Sequence, residues 1–170
     1  MGIFDNNKFQ STNQDWKLPK EIFDKLNNEF HFDKELATSE CNSLMENHFT
    51  EKENALKHKW IGRNYVNPPF KFASKWVKKA YNESQNGGMI CMVIPSKTNT
   101  IWWHRYCMKA KEIRFICGRP LFMREGYEGN HHGLPFPLSI IIFEKTNQQT
   151  VYSTFELPTT KNKKGQEESK

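Results

Sequence analysis

The hydrophobic and polar positions of this chain alternate between the spacing of helices and that of strands. Apolar residues recur every three or four positions over residues 20–30, behind a proline suited to a first helical turn, and this spacing predicts a helix. The same spacing predicts a second helix over residues 72–81, with lysines on its polar side. We also predict a helix over residues 100–110 and a short helix over residues 40–47.

Short apolar runs between these helices predict the strands of one sheet. Residues 89–94 form an uninterrupted apolar run, which is typical of a central parallel strand. Further strands are predicted over residues 31–37, 64–67, 112–117 and 138–143, with an edge strand over residues 151–155. Helices and strands alternate as far as residue 117, so the pattern predicts an α/β fold with an open, mostly parallel sheet. The strand at 138–143 follows a loop and is expected to pair antiparallel.

In such a sheet the binding crevice lies at the carboxyl ends of the strands. Four segments are predicted to meet at this edge, which we call the carboxyl rim. They are the loop after Ala37, the turn at residues 67–70, the turn at residues 95–98 and the loop after Cys117. A site formed by this fold is therefore expected to draw its residues from these four segments.

One of these segments, Asn67-Pro68-Pro69-Phe70, has residue types that suit methyl transfer to an amine. The amino group of adenine or cytosine is a poor nucleophile until two acceptors hold it out of conjugation with the ring. The Asn67 side-chain oxygen is one acceptor, and the Pro68 carbonyl, held rigid by two prolines, is the other. Both stabilise the charge that develops on the nitrogen, and Phe70 offers a face for an extruded base. A rigid structural turn is the alternative interpretation of these four residues alone.

The composition indicates one domain with an anionic partner. At 170 residues the chain forms a single domain of ordinary size. Its formal charge of +6 and its 14% aromatic residues suit nucleic acid as well as a generally basic surface. We expect residues 1–14 to be a flexible segment, residues 15–157 the folded domain and residues 158–170 a disordered polar tail.

Basic residues near the carboxyl rim are candidates for phosphate contact. They are Lys97, His104, Arg119 and Arg124, and the loop at residues 124–134 contains several glycines. Each basic residue singly is better explained as a solvated surface charge, whereas the group as a set favours contact with a nucleic-acid backbone.

No pattern in the sequence is typical of a metal site or a membrane span. The four cysteines lack the spacing that would hold zinc, and the adjacent His131 and His132 are poorly placed to share one ion. The start of the chain lacks a basic segment followed by an apolar run, and no apolar window reaches the length of a membrane helix. We therefore expect no metal, reduced thiols and a soluble, intracellular protein.

Motifs in one order along residues 16–143 resemble a known family. Besides the turn at residues 67–70, they include an N-terminal Trp and helix, and a strand that is followed by small residues. The other matching pieces are Phe49-Thr50, Asn54-Ala55-Leu56, Trp60, Gly62, Trp76-Val77-Lys78-Lys79-Ala80-Tyr81, Ile94-Pro95, Thr98, Thr100, Trp102, His104, Ile113-Arg114-Phe115, Gly118-Arg119, Pro135-Phe136-Pro137 and Ser139. In these features the sequence resembles the small phage-type DNA N6-adenine methyltransferases.

The resemblance implies a single-domain, Rossmann-like methyltransferase fold that uses S-adenosylmethionine. It implies methyl transfer to N6 of adenine in DNA after base flipping, with a catalytic site formed by Asn67, Pro68, Pro69 and Phe70. Together with their positions near the carboxyl rim, it implies a cofactor site at Trp16, Glu35, Ala37 and Asn54. We expect a monomer or weak dimer that binds DNA in the cytoplasm of a bacterial host, encoded by a phage or prophage.

Two other interpretations remain open at this point. An amine methyltransferase with another acceptor, such as cytosine N4, RNA adenine or a protein glutamine, needs the same two-acceptor geometry. A basic nucleic-acid-binding protein on the same scaffold, without cofactor binding, is suggested by the lack of a glycine-rich turn near Ala37. It is also suggested by Glu35, which stands where the family carries Asp. A measurement of S-adenosylmethionine binding would distinguish a methyltransferase from the inactive scaffold.

Overall fold

The computed structural model describes residues 17–122 and 134–158, which form a seven-stranded sheet with helices packed on both faces. The α-helices are α1 (Lys20–Phe30), α2 (Ala73–Gln85) and α3 (Ile101–Arg105). The strands are β1 (Lys34–Thr38), β2 (His48–Thr50), β3 (Arg63–Val66), β4 (Met89–Pro95), β5 (Glu112–Cys117), β6 (Leu138–Phe143) and β7 (Val151–Glu156). Short 3₁₀ helices cover Ala55–Lys57, Phe70–Phe72 and Cys107–Lys109.

The strand order in the sheet is β2-β1-β3-β4-β6-β5-β7. β1 pairs parallel with β2 and β3, β3 with β4, and β5 with β7. Of these seven strands only β6 is reversed, and it pairs antiparallel with β4 on one side and β5 on the other. The predictions of an α/β fold, a mostly parallel sheet and one antiparallel strand near the C-terminus are confirmed, and the architecture is compatible with a Rossmann-like methyltransferase fold.

Alternate residues of β4, all of them buried, face two separate hydrophobic layers. Ile90, Met92 and Ile94 face the layer that α2 and α3 cover. Cys91 and Val93 face the opposite layer, which α1 covers. This alternation follows from the period of two in a strand, and it makes β4 the centre of the sheet as its apolar run predicts.

Two predicted helices differ from the structure, and one strand was not predicted. The short helix expected over residues 40–47 is wrong, because this segment is a turn followed by bends. It also bonds to β1: the Asn47 carbonyl accepts the Glu35 N–H at 3.0 Å, and the Glu35 carboxylate accepts the Leu44 N–H at 2.7 Å. It leads into β2, which the sequence analysis did not predict. The helix expected over residues 100–110 is split into α3 and a 3₁₀ helix.

The predicted flexible segment, residues 1–14, lies outside the described residues. So does the predicted tail at residues 158–170, apart from its first residue.

Candidate active site

The turn at residues 67–70 leaves the carboxyl end of β3, which lies between β1 and β4 in the sheet. Pro68 is buried, Asn67 is half-buried, and the Asn67 side-chain oxygen is shielded from solvent. The Pro69 carbonyl accepts the Phe72 N–H at 2.9 Å, which begins the 3₁₀ helix. In the part of the chain that the structure describes, no backbone N–H outside the helices and strands bonds the Pro68 carbonyl. The turn thus holds the Asn67 oxygen in a low-dielectric position, where a hydrogen bond to an amine is strong.

The ring of Phe70 lies against two other aromatic rings. Its centroid is 6.1 Å from that of Phe122 and 5.9 Å from that of Phe136, at interplanar angles of 74° and 79°. Phe122 follows β5 and Phe136 precedes β6, so both ends of the connection between these strands contact the turn. Both contacts are edge-to-face, and Phe70 stays half-buried. The contact of Phe122 with Phe70 was not predicted, although an aromatic residue at each end of a glycine-containing loop was a visible signal.

Glu35 is a buried carboxylate on β1. Its Oε2 atom accepts the Leu44 N–H at 2.7 Å and the Ser43 hydroxyl at 3.4 Å. Burial raises the pKa of the Glu35 carboxyl, although hydrogen bonds from Leu44, Met45 and Ser43 oppose that shift. Glu35 therefore holds the segment at residues 39–47 beside β1, and its contact with a cofactor stays a prediction.

Tyr65 on β3 lies in register between Glu35 on β1 and Cys91 on β4. The side chain is fully buried, and its ring centroid is 5.0 Å from that of Phe23 and 5.5 Å from that of Phe32. Among the described residues its hydroxyl has no hydrogen-bond partner. Burial, with a smaller contribution from Glu35, raises the pKa of Tyr65 well above its ordinary value. Within residues 17–122 and 134–158 the hydroxyl is therefore a neutral group that is desolvated on folding and gains no hydrogen bond.

We expect Tyr65→Phe to raise the free energy of unfolding by roughly 1 kcal/mol, because the substitution removes a buried hydroxyl to which no described residue bonds. Urea unfolding of the two proteins measures the difference. Asn64→Ala is a matched control on the same strand, since the Asn64 side chain donates to the carbonyls of Ile61 and Gly62 at 3.3 and 3.1 Å and its loss should lower stability. A Tyr65→Phe protein that is less stable than the parent would contradict this expectation.

Two of the other residues predicted to bind a cofactor, Ala37 and Asn54, lie near the carboxyl ends of β1 and β2. Ala37 lies in β1 just before Thr38 and Ser39, and small side chains here present little bulk beside the backbone. Asn54 follows β2 with a φ of 53° and is partly exposed. Trp16 lies outside the described residues. Small, hydroxyl and amide side chains at these strand ends fit a cofactor that carries an amine, a carboxylate and ribose hydroxyls.

The predicted nucleic-acid contacts are only partly brought together. Lys97 and Arg119 are exposed in the segments that follow β4 and β5, on the same carboxyl rim as Asn67. His104 is also exposed, but it lies on α3 and not at a strand end. Arg124 lies outside the described residues, as does the predicted loop at residues 124–134 except for its last residue.

The described residues contain no candidate metal site and no candidate membrane helix. Within residues 17–122 and 134–158 no group of three or more His, Cys, Asp or Glu side chains could hold a metal ion. His131 and His132 lie outside these ranges. The four cysteines are free thiols, of which Cys91 and Cys107 are buried. None of the described helices is both long and apolar enough to cross a bilayer.

Comparison with known proteins adds two findings. The sequence matches the family model described as DNA N-6-adenine-methyltransferase (Dam) over residues 5–169, which include the turn at residues 67–70 and all seven strands. It is also similar to a DNA N-6-adenine-methyltransferase of Escherichia phage T1, with 28% identity over 130 residues. That alignment covers 74% of this chain and 53% of the phage protein, so the chain spans about half the length of the curated relative it matches.

Proposed function

The chain belongs to the DNA N-6-adenine-methyltransferase (Dam) family, and from this membership we propose that it transfers a methyl group from S-adenosylmethionine to N6 of adenine in DNA. The observation that carries the proposal is the position of Asn67. Its side-chain oxygen is shielded from solvent at the end of a central strand, beside the half-buried ring of Phe70. An amide oxygen held out of water near an aromatic ring is suited to accept the amino group of a base that stacks on that ring.

The residues of the turn would have separate roles in methyl transfer. The Asn67 oxygen and the Pro68 carbonyl accept the two N–H bonds of the adenine amino group and hold its lone pair towards the methyl donor. Because these acceptors are fixed before the reaction, they stabilise the positive charge on the nitrogen without reorganisation. Phe70 stacks on the base, which must leave the DNA helix to reach them. Bound S-adenosylmethionine supplies the electrophilic methyl group.

The cofactor would lie against the carboxyl ends of β1 and β2, next to this turn. We propose that Ala37 and Asn54 line its site, that Trp16 contributes from the N-terminal segment, and that Glu35 borders it. The buried Glu35 carboxylate already accepts the Leu44 N–H, so part of its contribution would be to hold residues 39–47 in place.

DNA would approach the carboxyl rim, where its phosphates meet Lys97 and Arg119. His104 on α3 and Arg124 complete the proposed set of basic contacts. These contacts are electrostatic and predict that binding weakens as salt increases. We propose that the reaction takes place in the cytoplasm of a bacterial host, in line with the phage origin of the similar protein.

The proposal is tested with adenine-containing duplex DNA. The protein and the DNA are incubated with S-adenosylmethionine that carries a labelled methyl group, and the nucleosides are then analysed by mass spectrometry. We expect labelled N6-methyladenine. Labelled N4-methylcytosine would contradict adenine as the methyl acceptor. The same experiment with RNA tests whether adenine in RNA is the acceptor. Calorimetric titration is the control for the cofactor, since a folded protein that does not bind S-adenosylmethionine cannot be this enzyme.

A further inference from the structure

The positive charge of this protein is concentrated in two stretches of sequence. Residues 67–82 and 95–111 contain eight of the 25 Lys and Arg residues and none of the 19 Asp and Glu residues. The rest of the chain carries 17 basic and 19 acidic residues, a formal charge of −2, so the net charge of +6 arises from these two stretches. A generally basic surface would not show this separation.

The fold places both stretches on the same side of the sheet. The first contains most of α2 and the second contains α3 with the 3₁₀ helix that follows it. Trp76 and Val77 on α2 pack in one hydrophobic layer with Trp103 and Cys107 from the second stretch. The two helical segments also contact each other, as Tyr81 and Tyr106 have ring centroids 5.5 Å apart. Their outward sides therefore form one surface.

The outward side of this surface is basic. Its exposed basic residues, which we call the α2–α3 basic face, are Lys75, Lys78, His104, Arg105 and Lys109. In residues 17–122 and 134–158, none of these five forms an ion pair. Two other lysines of the same stretches are compensated, because Lys79 pairs with Glu83 and Lys111 pairs with Glu144. Among the described residues the basic face thus has no ion pair, whereas Lys79 and Lys111 each have one.

An exposed aromatic side chain joins this face to the catalytic turn. Phe72 lies two residues after Phe70 and is 46% exposed, and the Lys75 ammonium lies 5.7 Å from its ring centroid. Ile101, at the start of α3 after β4, is 75% exposed. Exposed apolar side chains at the starts of α2 and α3, next to basic side chains that form no ion pair with the described residues, match the sugars and phosphates of a nucleic-acid strand.

We propose that the α2–α3 basic face is a docking surface for the backbone of duplex DNA, continuous with the turn at residues 67–70. Lys75 and Lys78 contact phosphates that flank the extruded adenine, and Phe72 contacts the adjoining sugar or base. The proposal rests on the proposed function, and it adds a DNA surface outside the strand-end segments. Lys75 and Lys78 lie one helical turn apart, so both reach the same side of α2.

The test is the salt dependence of duplex DNA binding by Lys75→Ala/Lys78→Ala, measured by fluorescence anisotropy between about 50 and about 200 mM salt. Loss of two phosphate contacts should make the slope of log affinity against log salt shallower by about 2 and weaken binding roughly tenfold or more. Lys20→Ala/Lys145→Ala is the matched control. It removes the same charge from exposed residues on α1 and after β6, and its slope should stay near that of the parent.

The outcomes separate this proposal from the proposed function. The docking surface would be overturned if the salt slope of Lys75→Ala/Lys78→Ala equalled that of the parent. It would also be overturned if the slope changed equally in both double variants. Either result would count even if the protein is an active methyltransferase. If the salt slope changes only in Lys75→Ala/Lys78→Ala but the protein forms no N6-methyladenine, the docking surface is supported and the proposed function is rejected. S-adenosylmethionine affinity should be unchanged in both variants. Tighter, Lys75/Lys78-dependent binding to RNA than to DNA of equal length would overturn the assignment to DNA.

Discussion

Asn67→Ala is expected to lower the turnover of methyl transfer by about 100- to 1,000-fold while the protein stays folded and binds S-adenosylmethionine. The substitution removes one of two acceptors whose main effect is on the charge that develops at the adenine nitrogen. Since the Asn67 oxygen is shielded from solvent, water cannot readily replace it in that role. Single-turnover label transfer at saturating DNA measures the effect on the chemical step.

Asn64→Ala is the matched control for this experiment. Asn64 lies three residues earlier on β3 and is 1% exposed. Its side-chain amide donates to the carbonyls of Ile61 and Gly62, which precede the strand. Its loss should lower the melting temperature and leave the rate of the folded fraction near that of the parent. If the turn is only structural, Asn67→Ala and Pro68→Ala should instead lower stability to a similar extent. Full activity in a folded Asn67→Ala protein would end the catalytic assignment.

Phe70→Ala is expected to act on binding of the extruded base. Stacking of a base on an aromatic ring contributes roughly 1–3 kcal/mol, so the KM for DNA should rise roughly 5- to 150-fold. Phe70→Tyr and Phe70→Trp retain an aromatic face and should keep most of the activity. Steady-state kinetics with the same duplex, beside thermal melts, measure both properties.

The aromatic neighbours of Phe70 supply the control for packing. Phe136→Ala removes a ring that contacts Phe70 edge-to-face at 5.9 Å but leaves Phe70 itself in place. It should lower stability and raise the KM much less than Phe70→Ala does. An equal rise in KM for the two variants would show that packing of the turn, and not stacking on the base, explains the effect.

The catalytic turn and most elements of the fold were predictable because their signals are local. Helix α1 and strand β5 have the predicted bounds, since each is defined by the spacing of apolar residues within about one element's length. The reversal of β6 was also predictable, because a loop replaces the helix that a parallel strand requires. The motif at residues 67–70 carries its chemistry in four consecutive residues, so it was visible without a structure.

The features that depend on distant residues were decided by the tertiary structure. The segment at residues 40–47 has a helix-like composition, but hydrogen bonds to Glu35 and along β1 hold it in an irregular path. Phe122 reaches Phe70 because β5 ends and the antiparallel β6 begins at the carboxyl rim, where the catalytic turn also lies.

The sequence by itself determined which residues are apolar, charged or rigid, and therefore the elements, the acceptor-bearing turn and the two stretches without carboxylates. Only the tertiary structure decided which of these share a surface. The stretches at residues 67–82 and 95–111 form one basic face because α2 and α3 bury their apolar sides in the same layer of the core. Packing of that layer turns the lysines of both segments towards solvent together, a relation that no local sequence pattern records.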